Sequence, residues 1–162
     1  MSSVLIVEDV DSSEGDLLLC EADFPANFAG MKHPEDGMLL DTPIPPEFIR
    51  HKRPHHHRLL LRVSFKLESS GNYVPFTFVC DTGAPGSFYL APFADKILEE
   101  GGRQKEDDAG NTFMTVLNRP AATQETPRNH QPGNSIGLSL IEKLGLVVEK
   151  GTFRFIETFD YF

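Results

Sequence analysis

The residues of this chain best suited to carry out chemistry are Asp81, Thr82, Gly83 and Ala84, which directly follow the apolar run Tyr73 to Cys80. The run has the aromatic and β-branched composition of a buried strand. A carboxylate at the end of such a strand is costly to bury unless hydrogen bonds or a partner stabilise it. Gly83 permits a tight turn that brings backbone amides to the carboxylate, and the Thr82 hydroxyl can brace the loop. A carboxylate held in this way can act as a general acid or base, whereas the alternative is an Asx turn that only ends the strand.

A second motif lies downstream, where Ile136 and Gly137 form a hydrophobic-Gly pair. Apolar residues follow at helical spacing, so the sequence predicts a short amphipathic helix from about Ser139 to Leu144 that ends at Gly145. Gly137 permits the close approach of another backbone segment. The alternative interpretation is an ordinary surface helix with a glycine at each end.

The order and separation of these two motifs resemble the retropepsin-like aspartic proteases, the single-domain proteases of retroviruses and retrotransposons. The resemblance covers about residues 58 to 157. It implies an all-β retropepsin-like acid protease fold, a small closed β-barrel-like domain with one or two short helices that dimerises. It implies the following site residues: Asp81 as the catalytic group, Thr82, Gly83 and Ala84 as support of the active-site loop, and Ile136 and Gly137 beneath that loop.

The proposed chemistry requires a second chain. An aspartic protease uses two carboxylates that share a proton, one acting on a water molecule and the other on the scissile carbonyl. The sequence contains one Asp-Thr-Gly, since Asp41-Thr42-Pro43 lacks the glycine and Asp108-Ala109-Gly110 lacks the hydroxyl residue. We therefore expect a symmetric homodimer in which Asp81 of each copy meets its counterpart. The expected activity is hydrolysis of a peptide or protein substrate at acidic to near-neutral pH, with no metal and no cofactor.

The region between the motifs suggests an alternative function. Residues 103–111 occupy the place of the flap, the mobile hairpin that closes over a bound peptide in this family. These residues are polar. Only the outgoing side of the expected hairpin, residues 113–117, has the pattern of a strand. The alternative is a catalytically weak or inactive retropepsin-like module for dimerisation or peptide binding. A third hypothesis makes the acidic N-terminal segment an inhibitory leader over the cleft, or a segment that the protease itself removes.

Local patterns predict the elements that position the two motifs. Alternation of apolar and polar residues predicts a strand with one buried face at residues 59–67. A turn at residues 69–72 leads to a second strand at residues 73–80, which completes a β-hairpin. The other predicted elements are a helix at 92–100, a strand near 121–125 and an aromatic strand at 153–160. The aromatic strand suits a dimer contact, and the alternative is a core strand covered by the acidic N-terminal segment.

The formal charge of −9 is concentrated near the N-terminus. Residues 1–49 contain 11 acidic residues, one lysine and several prolines, a composition typical of an extended arm. We therefore divide the chain into an acidic extension with a basic, His-rich hinge at residues 1–57 and the protease domain at residues 58–162. Leu17 to Leu19 and Phe24 are the expected docking points of the arm.

The composition also argues against several classes of protein. The basic hinge is short and lacks aromatic residues, so we expect no nucleic-acid binding. The adjacent histidines 55–57 have no further ligand at metal-binding spacing, so we expect no metal site there. Cys20 and Cys80 are too few for a disulfide scaffold, and no signal peptide or membrane span is evident. We therefore expect an intracellular protein, cytoplasmic or nuclear, with no membrane partner.

Overall fold

The computed structural model describes residues 4–8, 35–52, 57–128, 133–157 and 161–162. Within these residues the chain is mostly β, as predicted, with two short helices. The strands are β1 (Val4–Glu8), β2 (Glu47–Lys52), β3 (His57–Lys66), β4 (Tyr73–Asp81), β5 (Phe88–Leu90), β6 (Lys105–Glu106), β7 (Thr112–Val116), β8 (Arg119–Glu125), β9 (Asn134–Gly137), β10 (Leu146–Glu149) and β11 (Thr152–Phe155). The helices are α1 (Pro92–Glu100) and α2 (Leu138–Leu144).

Nine of these strands form one mixed sheet in the order β1-β2-β3-β4-β9-β5-β8-β7-β6, and β10 pairs separately with β11. The pairs β1–β2, β4–β9 and β5–β8 are parallel, and the other pairs are antiparallel. The predicted closed barrel is wrong for the described strands, because β1 and β6 lie at the two ends of the sheet and each pairs on one side only. Closure would require these two edge strands to pair with each other.

The predicted hairpin of β3 and β4 is confirmed and lies inside the large sheet, with antiparallel pairs from Leu60↔Val79 to Lys66↔Tyr73. However, β3 is buried on both faces from Leu60 to Phe65, whereas the alternating pattern predicts one buried face. The upstream segment 35–46 supplies contacts to the polar residues of this strand. One such contact is a hydrogen bond of 2.9 Å from the Ile44 N–H to Ser64 Oγ.

The residue of β3 that is most costly to bury is Arg62, which lies on the face that the alternating pattern left exposed. Arg62 is a cation and is only 7% exposed. Its Nε donates to Asp36 Oδ1 at 2.8 Å, and the Thr77 hydroxyl donates to Asp36 Oδ2 at 2.8 Å. Glu35 Oε2 lies farther away, 3.5 Å from Arg62 Nη2, and 51% of the Glu35 side chain is exposed. Asp36 is therefore the main partner that makes burial of the Arg62 charge possible.

Replacement of Asp36 with alanine is expected to lower the free energy of unfolding by about 2–4 kcal/mol, because it leaves a buried guanidinium without its main partner. Urea denaturation followed by circular dichroism measures this change. The matched control is Glu35→Ala, for which an exposed ion pair predicts a loss below about 1 kcal/mol. Equal losses in the two variants would contradict the assignment of Asp36 as the main partner of Arg62.

The large sheet extends upstream of residue 58, where the sequence suggested that the protease domain begins. β2 pairs with β3 from Glu47↔Arg62 to Lys52↔His57, and Phe48 and Ile49 are fully buried. β2 therefore runs to Lys52 and β3 begins at His57, on the two sides of residues 53–56, and the division of the chain at residue 57 stays a prediction. Residues 53–56 and the predicted docking points at 17–19 and Phe24 lie outside the described residues.

Both predicted helices are confirmed. α1 begins at Pro92, whose fixed φ suits the first turn of a helix, and it buries Ala94 and Leu98 against the core. α2 begins at Leu138 and is followed by Gly145 at a φ of 69°, the left-handed conformation that commonly ends a helix. Neither helix in the described part of the chain is long and apolar enough to span a membrane.

The predicted aromatic strand at residues 153–160 corresponds in part to β11, which ends at Phe155 and pairs with β10. The rings of Phe153 and Phe155 lie 5.9 and 5.0 Å from the ring of Phe48 on β2. These aromatic side chains therefore pack within the chain, against a strand that lies in the predicted extension. Residues 158–160 are outside the described part.

Candidate active site

Asp81 is the last residue of β4, a strand that lies between β3 and β9 in the sheet. The residues of β4 from Val74 to Val79 are buried, and Asp81 is half-buried where the strand leaves the core. The aromatic and β-branched residues of the strand are fixed by packing on both sides. They hold the Asp81 backbone in place while its carboxylate reaches the protein surface.

The loop after Asp81 supplies the backbone donor that the sequence predicts. The Gly83 N–H donates to Asp81 Oδ1 at 2.9 Å, and the Ala84 N–H donates to the Asp81 carbonyl at 3.1 Å. These bonds orient the carboxylate and close a tight turn. Thr82 and Gly83 are exposed, so this side of the loop is accessible. Within the described residues the Thr82 hydroxyl makes no hydrogen bond to the loop, and its supporting role there stays a prediction.

The loop rests on the junction of β9 and α2. The Gly137 N–H donates to the Ser87 carbonyl at 2.9 Å, and the Leu138 N–H donates to the Ala84 carbonyl at 2.7 Å. A Cβ added at Gly137 would lie 2.2 Å from the Gly86 carbonyl oxygen and 2.6 Å from the Ala84 carbonyl oxygen. Only a glycine allows this contact between two backbone segments.

Ile136 and Gly137 continue the sheet beside the catalytic candidate. Gly137 is the parallel partner of Asp81, and Ile136 is the partner of Cys80 on β4 and of Phe88 on β5. Ile136 is fully buried. The structure thus brings both sequence motifs together, although they are far apart in the chain, and their catalytic and supporting roles stay predictions.

Tyr89 is a supporting residue that the sequence analysis missed. Its hydroxyl accepts a hydrogen bond of 2.8 Å from the Gly86 N–H, which fixes the far end of the loop. The residue is only 7% exposed. A usable signal was present, because a tyrosine inside a short apolar strand needs a polar partner for its hydroxyl.

Cys80 directly precedes the catalytic candidate and is the other reactive side chain nearby. The residue is half-buried, its side chain packs against the hydrophobic core, and burial raises the pKa of the thiol to about 12. The thiolate is the nucleophilic form of cysteine. A thiol mechanism at this position is therefore not favoured.

Cys80 is expected to resist alkylation in the folded protein. At pH 8 a thiol with a pKa of about 12 is only about one part in 10⁴ thiolate, far below an ordinary cysteine. The measurement is the rate of iodoacetamide labelling in a Cys20→Ser chain, which leaves Cys80 as the single thiol. Labelling should be at least about 100-fold faster in concentrated urea than in buffer. Equal rates would show that the Cys80 thiol is accessible and ionised in the folded state.

The region in the place of the flap forms a hairpin, which corrects the expectation of a strand on the outgoing side only. β6 pairs with the first residues of β7, and β7 pairs with β8 in turn. The tip at residues 107–111 is closed by Asp107, whose Oδ1 accepts hydrogen bonds from the backbone of Ala109 and Asn111 at 3.0 and 2.9 Å. This Asx-type closure explains why a polar segment without strand periodicity forms a hairpin.

The site is a single oriented carboxylate on a supported loop. Asp41 and Asp108, the other aspartates weighed from the sequence, are exposed, and Asp108 lies at the tip of the β6–β7 hairpin. One carboxylate can accept or donate one proton, but activation of a water molecule together with protonation of a carbonyl requires a second group. Among the described residues, no three His, Cys, Asp or Glu side chains could together hold a metal ion.

Comparison with known proteins adds no relative to this description. No protein family, no curated protein and no solved structure matches this chain.

Proposed function

We propose that the protein is an aspartic endopeptidase of the retropepsin type, in which Asp81 residues from two copies form the catalytic dyad. The observation that carries this proposal is the loop geometry: an accessible carboxylate at the end of a buried strand, oriented by the Gly83 N–H at 2.9 Å. The contacts of Gly137 and Leu138 with the Asp81 loop also support the proposal, because a catalytic carboxylate must be held in a fixed position.

The dimer follows from the count of carboxylates. One chain offers one Asp-Thr-Gly motif, and the exposed Thr82 and Gly83 leave its loop open to a second copy. A twofold axis beside this loop would bring two identical carboxylates together. Two such groups at close range share one proton, which gives the pair an acid and a base at the same time.

The reaction then uses both members of the pair. The ionised Asp81 removes a proton from a water molecule, whose oxygen bonds to the carbonyl carbon, while the protonated Asp81 donates its proton to the carbonyl oxygen. The tetrahedral intermediate collapses when the Asp81 that took the proton from water gives it to the amide nitrogen. The other Asp81 accepts a proton from a hydroxyl of the intermediate, and the C–N bond breaks to release an amine and a carboxylic acid. Because the pair must hold one proton, cleavage is expected at acidic to near-neutral pH.

A second candidate is a catalytically weak or inactive retropepsin-like module that dimerises or binds peptides. It is favoured by the β6–β7 hairpin, because β6 has only two residues and the tip is closed on itself by Asp107. A short, self-contained hairpin provides little surface to close over a peptide, and closure excludes water in enzymes that use lids.

The test incubates the full chain with a diverse peptide mixture at pH 4 to 7 and identifies products by mass spectrometry. Cleavage is expected, and the rate per chain should fall when the protein is diluted until sedimentation shows monomers. Folded dimers that cleave nothing would support the binding module. Cleavage that persists at the same rate per chain in monomers would contradict the shared dyad.

A further inference from the structure

The outer face of α1 carries an apolar stripe at the protein surface. The residues of this face are separated by three or four positions, as neighbours on a helix are: Phe93, Lys96, Ile97 and Glu100. Phe93 is 64% exposed and Ile97 is half-buried, and both charged residues are exposed. A surface helix normally directs its apolar residues to the core, so this second apolar face needs an explanation.

The segment before β2 widens the stripe. Gly37 lies so close to α1 that an added Cβ would be 2.5 Å from Cε1 of Phe93 and 3.6 Å from Cδ1 of Ile97. The next two residues, Met38 and Leu39, are 51% and 56% exposed. We call Met38, Leu39, Phe93 and Ile97 the α1 patch. It holds three of the seven large apolar side chains that are exposed in the described part of the chain, and such a concentration marks an interaction surface.

An open cavity of about 270 Å³ lies at one end of the α1 patch. Leu39, Leu67 and Ile97 form part of its wall, together with Glu100 and Gly101 at the C-terminal end of α1. A cavity of about 150 Å³ is large enough for a benzene ring. This cavity can therefore accept the side chain of a phenylalanine from a bound protein.

The charges beside the α1 patch are complementary to each other. Lys96 and Glu100 are one helical turn apart, and neither forms an ion pair within the described residues. A surface with one free cation and one free carboxylate in a row matches its own copy when that copy is turned by a twofold rotation. A second copy of the chain is thus the partner that these charges favour.

One arrangement satisfies both the charges and the cavity. If two α1 helices pair in antiparallel orientation about a twofold axis near Ile97, Lys96 of each copy meets Glu100 of the other. Phe93 lies eight positions before Gly101, about 12 Å along a helix axis, so the same rotation brings Phe93 of one copy over the cavity of the other. We infer that the α1 patch binds a second copy of this chain through antiparallel pairing of the two α1 helices.

This contact is distinct from the dimer of the proposed function. It uses α1 and the segment 37–39, whereas the catalytic dyad requires a twofold axis beside the Asp81 loop. Two different twofold contacts on one chain join dimers into larger assemblies. The α1 contact does not depend on peptide cleavage.

Phe93→Ala is the first test, made with the full chain by analytical ultracentrifugation over a range of concentrations. The loss of a side chain that fills a cavity of the partner should raise the Kd of this contact about 30-fold. The matched control is Ile156→Ala, which removes a side chain of similar exposure, 66%, outside the α1 patch and should leave the Kd unchanged. Equal effects of the two variants would overturn the inference.

Charge reversal tests the antiparallel pairing itself. Lys96→Glu and Glu100→Lys each place like charges opposite one another twice in the pair of helices, so each variant alone should raise the Kd at least about tenfold. An equimolar mixture of the two variants should regain the affinity of the unmodified chain, because every facing pair then has opposite charges. A mixture that associates no better than the separate variants would overturn the inference.

The masses measured in these experiments separate the inference from the proposed function. If the Asp81 contact also forms, the unmodified chain sediments above the mass of a dimer, and Lys96→Glu returns it to dimers that still cleave peptides. If the Asp81 contact does not form, the same variant converts dimers without activity into monomers, which keeps the α1 contact and overturns the peptidase. An unmodified chain whose mass equals that of every variant would overturn the α1 contact, whatever its activity.

Discussion

Replacement of Asp81 with asparagine is expected to abolish peptide cleavage. The new side chain has the same size and keeps an oxygen that can accept the Gly83 N–H bond, so the loop should keep its shape. The proposed dyad, however, would lose its proton-transfer group in both copies. Since general acid or base catalysis contributes about 10²–10⁴-fold to a rate, the loss should be at least this large. The measurement is the rate of product formation by mass spectrometry from pH 4 to 7.

The control for this prediction is Asp41→Asn. Asp41 is exposed and is also followed by a threonine, but it lacks the glycine, so the variant removes the same charge outside the proposed site. Its cleavage rate should match that of the unmodified chain. An excess of the Asp81→Asn chain should also suppress the unmodified chain, because mixed dimers hold one carboxylate. If Asp81→Asn cleaves as fast as the original sequence, the proposed mechanism is wrong.

The predictions about the fold succeeded where the pattern is local. The alternation of residues 59–67 and the turn at 69–72 correctly predicted the β3–β4 hairpin. Pro92 correctly predicted the start of α1. These signals depend on neighbours in the chain, so they are readable without the rest of the fold. The burial of the second face of β3 could not be predicted from local pattern. It depends on the contact of Arg62 with Asp36, which lies in a distant segment of the chain.

The upstream strands show why the domain boundary was difficult to predict. Phe48 and Ile49 form a short apolar pair inside an acidic, proline-containing region. From composition alone, this region is predicted to be an extended arm. Their burial arises because β2 adds to β3 and because the Phe153 and Phe155 rings pack on Phe48. Tertiary contacts of this kind override local composition.

In the candidate site, too, the local features could be predicted and the contacts between distant segments could not. The Asp81 motif and its backbone donor at Gly83 could be predicted, because both lie within three residues. The contact of Gly137 with the loop rested on resemblance, and the Tyr89 hydroxyl bond was missed.

Replacement of Gly137 with alanine is expected to damage both the fold and the site. The added Cβ would meet the carbonyl oxygens of Gly86 and Ala84 at 2.2 and 2.6 Å, and backbone atoms cannot rotate away as a side chain can. Either the loop must move or the pairing of Gly137 with Asp81 must open. Overpacking of this kind costs about 1–3 kcal/mol or more, and we expect the upper end of that range. A displacement of about 1 Å in a catalytic group can reduce a rate about 100-fold, so cleavage per folded chain should fall by a similar factor.

Gly101→Ala is the matched control for the Gly137 variant. The φ of Gly101 is −76°, which any residue adopts, and its added Cβ would meet the Leu67 methyl groups at 2.7 and 2.9 Å and the Ile97 carbonyl oxygen at 3.0 Å. This variant should lose about 1–3 kcal/mol, because Leu67 is buried in the core. It should keep its cleavage rate per folded chain, because Gly101 follows α1 and does not lie beneath the Asp81 loop. Urea denaturation and the peptide assay on both proteins give the comparison. A Gly137→Ala chain with the stability and activity of the control would contradict the role of Gly137 beneath the loop. A chain that loses activity far beyond its loss of folded protein would show that the position of the Asp81 loop, and not only its presence, determines catalysis.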